Sequence, residues 1–166
     1  MGNDGMLGIT VFMGGNSTTI RAVVQSAGMN YRLPASELAA QVARGGEALR
    51  PVPLYTQSLV TQMTQTAACI RHHTLNQQFS RWLLMSFDRL IGTEMVMTQK
   101  LISKMLGVKS EEVTAVATAL GASGAIDYRE GRIQLVDRAA LKKTSCECYQ
   151  VVKRECDRLD SSRSSR

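Results

Sequence analysis

The 166-residue chain has no long apolar run, which leaves no stretch able to cross a membrane as a helix. Its first residues, MGNDGMLGITVFMGG, lack the basic start and extended apolar core of a secretory signal. They begin like a myristoylation signal, but the sixth residue is Met rather than Ser or Thr. The expectation is a cytoplasmic protein. Its four cysteines, Cys69, Cys146, Cys148 and Cys156, include no C-x-x-C pair. Cys146 and Cys148 stand only two apart, which suits neither a helical metal face nor the usual zinc spacing. Free thiols are expected. No paired acid and base, no nucleophile motif and no phosphate-cradling loop is present. Gly14-Gly15-Asn16-Ser17-Thr18 lacks the lysine of a P-loop. His72 and His73 remain as isolated general-base candidates. Adjacent histidines diverge on a helix, and with no third ligand nearby in sequence a metal site is not expected. No enzyme activity is expected.

What is present is a globular composition, 44% apolar and 20% charged, well away from disorder. The net charge of +6 is uneven. Residues 1–70 hold four Lys/Arg against three Asp/Glu, and residues 71–166 hold 16 against 11. A basic second half suits a polyanionic partner.

Residues 5–33 are Gly-dotted and β-prone, so GITVFMGG and IRAVVQSAGMNYRL are expected as strands. Three strand-like segments at most cannot close a sheet over a good core. Pro34-Ala35-Ser36-Glu37 predicts a short helix with Leu38, Ala39 and Val42 on one face, closing near Gly45-Gly46. Pro51 and Pro53 mark a new start. Beyond them Tyr55, Leu59, Met63, Ala67 and Ile70 form a narrow apolar stripe, better suited to a partner helix than to a broad core. A further amphipathic helix, Leu75–Leu90, turns Leu75, Phe79, Trp82, Leu83 and Leu90 inward.

In TQKLISKMLGVKSEEVTAVATAL, residues 98–120, two short helical patterns meet at Gly107. Ile102 and Leu106 precede the glycine, Val108, Val113 and Val116 follow it, and Ser103 supplies the small side chain that crossing helices need. This is the pattern of a helix-turn-helix. Its second helix is expected from Lys109 or Ser110 to Leu120, with Val113, Val116, Ala117 and Leu120 buried. Ser110, Glu111, Thr114, Ala115 and Thr118 are expected outside. Glu111 can accept from a cytosine amino group. Ser110 can bond to a base or a phosphate, or cap its own helix. Thr98, Gln99, Lys104 and Lys109 are expected on phosphates. Ala125–Tyr128 and Ile133–Val136 flank a Gly-bearing turn and predict a β-hairpin with Arg129 and Arg132 at its tip. Such a hairpin after a recognition helix is the wing of a winged helix. Asp137 is expected to cap a last helix, from about Ala139 to Leu159, before a disordered tail at 161–166. Helix pairs also occur in protein-interaction domains; the hairpin and the basic balance favour DNA.

MTQKLISKMLGVKSEEVT, IRHHTLNQQFSRWLLMSFDRL and CECYQVVKRECDRL resemble the Crp/Fnr (cyclic-AMP receptor protein/FNR) family of bacterial transcription regulators, over Gly5 to Leu159. The resemblance implies an α+β chain: a C-terminal winged helix-turn-helix preceded by a long dimerisation helix and a partial cyclic-nucleotide-binding-like β-roll, N-terminally truncated. Residues 1–50 would be the β-roll remnant, 51–73 the dimerisation helix and hinge, and 74–160 the DNA-binding domain. Tyr55, Leu59, Met63, Ala67 and Ile70 would line the dimer interface. The implied function is sequence-specific transcription regulation as a homodimer on double-stranded DNA, with RNA polymerase as a further partner. The alternative is a truncated dimerisation partner of full-length relatives.

This chain departs from the family at two places. The recognition helix has Ser110 and Ala115 where the family often has arginines, while Glu111 keeps the glutamate. The guanine-reading contacts are therefore missing. In the nucleotide pocket, Met6 and Asn16 replace the ribose-binding glutamate and phosphate-binding arginine. No cyclic AMP, other cofactor or metal is expected.

Overall fold

The computed structural model describes residues 5–24, 26–46 and 49–164. In chain order the elements are α1 (Ile9–Phe12), α2 (Ala35–Arg44), α3 (Pro51–His72), α4 (Leu75–Phe87), β1 (Glu94–Val96), α5 (Gln99–Leu106), α6 (Ser110–Ala122), β2 (Ile126–Arg129), β3 (Arg132–Leu135), α7 (Arg138–Thr144) and α8 (Cys148–Ser164). The chain divides into two compact units, Met1–Met63 with Arg154–Arg166, and Thr64–Lys153. No helix among the described residues is long and apolar enough to cross a membrane.

Among the described residues of the first unit the expected strands are absent. Ile9–Phe12 is a single helical turn, and the described residues of 16–34 are neither helix nor strand. Gln25, within the second expected strand, lies outside the described residues, as do 1–4, 47 and 48. A strand is held by the neighbour that satisfies its backbone groups, and the described residues of this stretch include no strand to serve as one. Ile20, Val24 and Tyr31 are exposed accordingly. The β-roll expected for residues 1–50 therefore does not appear among the described residues. The helix after Pro34 does form. Leu38 and Val42 are half-buried, Ala39 is exposed, and Gly45, at φ 68°, ends it in a conformation that suits glycine. Helix α3 starts at Pro51, earlier than the stripe suggests, because proline is tolerated in a first turn where amide protons have no helical acceptor. The Tyr55 hydroxyl donates to the Met6 carbonyl at 3.0 Å.

The second unit holds the core. Helix α4 opens with Thr74, whose hydroxyl accepts from the Gln77 amide while the Gln77 side chain accepts from the Thr74 amide. This reciprocal cap fixes where the helix begins. Its apolar face buries Phe79, Leu83, Leu84 and Phe87, and the Phe79 and Trp82 rings stack at 5.9 Å. Helix α4 packs on α6 and α7, and α5 on α6. The sheet has the order β1-β3-β2, antiparallel throughout, with Met95 opposite Ile133 and Tyr128 opposite Ile133 on the other side. Met95, Ile126 and Ile133 join Ile102, Val113, Ala117, Leu120 and Leu141 in one buried cluster.

The last helix differs from the sequence expectation. Asp137 caps as expected, its carboxylate accepting from the Ala139 and Ala140 amides at 2.7 and 3.1 Å. The helix it starts stops at Thr144, because Ser145 is extended at ψ 164°. A second helix begins at Cys148. Residues 161–164 continue that helix rather than forming a disordered tail, and 165 and 166 lie outside the described residues.

Candidate nucleic-acid interface

The turn between α5 and α6 is set by Gly107, at φ 71° and ψ 31°. This left-handed conformation carries little penalty only for a residue without a Cβ. The Val108 amide then donates to the Ser103 carbonyl at 3.0 Å. Ser103 is buried where the helices cross, its hydroxyl donating to the Lys100 carbonyl.

Helix α6 buries Val113, Ala117 and Leu120, with Val116 only half-buried. Glu111, Thr114, Ala115 and Thr118 are exposed and Ser110 is half-buried. This is the polar outer face read from the sequence. Ser110 does not cap the helix. Lys109 takes that place, and the Glu112 carboxylate accepts from the Lys109 amide at 2.9 Å. Glu112 was not singled out by the sequence pattern, although a glutamate three residues after the last non-helical position is the sequence signal of such a cap. The Thr114 hydroxyl donates back to the Ser110 carbonyl at 3.0 Å, which leaves its oxygen lone pairs and methyl outward.

Thr98 caps α5, its hydroxyl accepting from the Leu101 amide at 3.3 Å. That use occupies the oxygen but leaves the remaining first-turn amides of α5 for an anion. Gln99 is half-buried, and Lys104 and Lys109 are exposed. Gln99 and Thr114 line one shallow groove with Thr118, Gly121, Asp127 and Tyr128. Lys100, which the sequence reading passed over, is exposed on the same short helix.

Strands β2 and β3 form the expected hairpin. Its turn is Glu130-Gly131, with φ of 50° and 77°. Two successive positive φ angles match the right-handed twist of the strands. The two arginines flank this turn rather than occupying it, and neither is a free cation. Arg129 Nε donates to Asp127 Oδ1 at 2.9 Å, and an Arg132 guanidinium nitrogen donates to Glu94 Oε1 at 2.6 Å. Both side chains remain largely solvent-exposed, at 82% and 64%. Exposed pairs of this kind contribute about 0–1 kcal/mol, so a phosphate can displace the carboxylate at little cost.

Behind this surface, Asp88, Arg138 and Tyr149 form a polar triangle. Arg138 bonds to Asp88 and donates to the Tyr149 hydroxyl at 3.1 Å, and that hydroxyl donates to Asp88 Oδ2 at 3.0 Å. Burial works against the Arg138 charge, yet the Asp88 carboxylate holds its pKa above the ordinary value.

The expectation that His73 has no ligand neighbours fails. The fold brings Cys69, Cys146 and Cys148 to it, with the four donor atoms within 4.8 Å of one another. His73 follows the last residue of α3, and its amide donates to the Cys69 carbonyl at 3.0 Å, which keeps the two side chains close. The break between α7 and α8 delivers the two other cysteines, Cys146 from 77 positions beyond Cys69 and Cys148 from 75 beyond His73, which no spacing rule detects. None of the four cysteines is in a disulfide.

Comparison with curated proteins found no significant match. Residues 77–144 match the family model of the Crp-like helix-turn-helix domain. That segment runs from the first turn of α4 through α7 and takes in α5, α6 and the β2–β3 hairpin, so this part of the chain is similar to a Crp-like helix-turn-helix domain.

Proposed function

We propose that the protein is a sequence-specific transcription regulator that binds double-stranded DNA as a homodimer. Helix α6 enters the major groove, and the β2–β3 hairpin serves as a wing on the flanking backbone. The observation that carries this reading is the outer face of α6, polar and short-chained, beside a hairpin whose arginines are exposed and weakly held. Glu111, Ser110 and Thr114 are the base-facing candidates. Thr98, Gln99, Lys104, Lys109, Arg129 and Arg132 are the phosphate-facing ones. With no arginine on that outer face, discrimination rests on Glu111 and the hydroxyls rather than on bidentate guanine contacts.

Helix α3 supports the dimer. Met63 and Ile70 are 59% and 60% exposed, and Ala67 is exposed too. Val60, half exposed, widens the stripe. Tyr55 and Leu59 are half-buried within their own chain, so the seam narrows toward its start. A second copy covers these side chains in a helix pair. The test is selection of a site from random duplexes followed by footprinting. Two protected half-sites about 34 Å apart are expected. Absence of any preferred sequence, or protection of a single half-site by a monomer, overturns the reading.

A further inference from the structure

The four side chains at the end of α3 and the α7–α8 break have the donor set and spacing of a single-ion site. Cys69 Sγ and Cys146 Sγ are 3.5 Å apart, and Cys148 Sγ lies 3.5 Å from His73 Nδ1. Tetrahedral zinc, with bonds of about 2.3 Å to sulfur and about 2.0 Å to nitrogen, separates its donors by roughly 3.5–3.8 Å. We propose that Cys69, His73, Cys146 and Cys148 bind one structural zinc ion.

Three neighbouring groups fit that assignment and have no other evident purpose. First, His73 Nε2 lies 3.1 Å from Glu147 Oε1. A metal-bound imidazole characteristically donates its other N–H to a carboxylate, which fixes the tautomer and aims the free nitrogen at the ion. Second, Gln65 Nε2 donates to Cys148 Sγ at 3.1 Å, a bond that stabilises a thiolate. Third, Arg81 is 5% exposed. It donates to Thr66 Oγ1 at 2.9 Å, and its Nε has no partner among the described residues. A buried guanidinium beside neutral thiols is costly. Three thiolates, a neutral imidazole and Zn²⁺ together carry one negative charge, which Arg81 balances.

The binding step releases three protons to water: each thiol gives up its proton as its sulfur bonds the ion, and the imidazole binds through Nδ1 with its proton on Nε2. Cys148 opens α8. All four positions are filled by protein and three of the donors are 1–4% exposed, so the site is closed and structural rather than catalytic. It staples the last turn of α3 to the link between α7 and α8.

The test is metal analysis of the 166-residue chain, purified under reducing conditions from zinc-supplemented cells. One zinc per chain is expected, released when a mercurial titrates the thiols. Replacement by Co²⁺ should give the thiolate charge-transfer band and the visible bands of tetrahedral cobalt. Cys148→Ser and His73→Ala should lose the stoichiometric ion, whereas Cys156→Ser should keep it. The cobalt spectrum of the unsubstituted chain decides the matter even where a variant fails to fold. Substoichiometric zinc without cobalt bands overturns the proposal. So does a Cys69–Cys146 disulfide in the chain as purified, or visible absorption with acid-labile sulfide, which would indicate an iron–sulfur cluster.

Discussion

Residues 5–46 and residues 74–144 are both rich in apolar side chains, yet they end in opposite environments. In the first stretch no described residue is buried, and Val24, Met29 and Tyr31 are 85–102% exposed. In the second, Phe79, Leu83, Leu84, Ile102, Leu120 and Ile133 are at most 1% exposed. The difference lies in partners rather than in composition. Helices α4, α5 and α6 carry apolar residues at helical spacing, and each meets a neighbour that needs the same surface covered. Ile20, Val23 and Val24 have β-type side chains but meet no strand among the described residues.

Three substitutions bear on that contrast. The largest effect is expected for Leu83→Ala, which empties a fully enclosed site in α4. Denaturant unfolding should show a loss of about 2–5 kcal/mol. A loss below about 1 kcal/mol would mean that the α4 face is not the core it looks to be. Next comes Asp137→Ala, which removes two amide partners at the start of α7. It should cost about 1 kcal/mol in the same measurement, with Asp137→Ser recovering most of it. The smallest is Leu33→Ala, at a 60% exposed position. It should change stability by less than about 0.5 kcal/mol; a core-sized loss there would show that residues 5–46 do bury an apolar face.

The same contrast explains what was legible in the sequence. The helix-turn-helix was readable because its signals are local: Gly107 for the left-handed turn, Ser103 for the crossing, and apolar residues at three- and four-residue spacing. The hairpin was readable from alternation around Gly131, and the α7 cap from Asp137. Strands near the N-terminus were misread because β-propensity describes fit to a neighbouring strand rather than an intrinsic backbone preference. The break at Ser145 was missed since Lys142 through Tyr149 contains neither proline nor glycine. That break is also what gathers the cysteines around His73. Cys69 on α3 and His73 just after it stand four residues apart, a local pairing the sequence analysis does not single out, and the other half of the cluster arrives through tertiary packing. The carboxylate partners of Arg129 and Arg132 are split in the same way. Asp127 is local to the hairpin, whereas Glu94 comes from β1, 38 residues away.

The central claim is that the surface of α5, α6 and the hairpin lies against a DNA backbone. It is tested most directly by the salt dependence of binding to a selected duplex, for the unsubstituted chain and for Arg132→Ala and Lys109→Ala. The logarithm of the binding constant should fall linearly with the logarithm of salt concentration. Its slope should become shallower by about one for each cation removed from each bound chain. Slopes that stay the same in both variants, with affinity unchanged, would contradict the account.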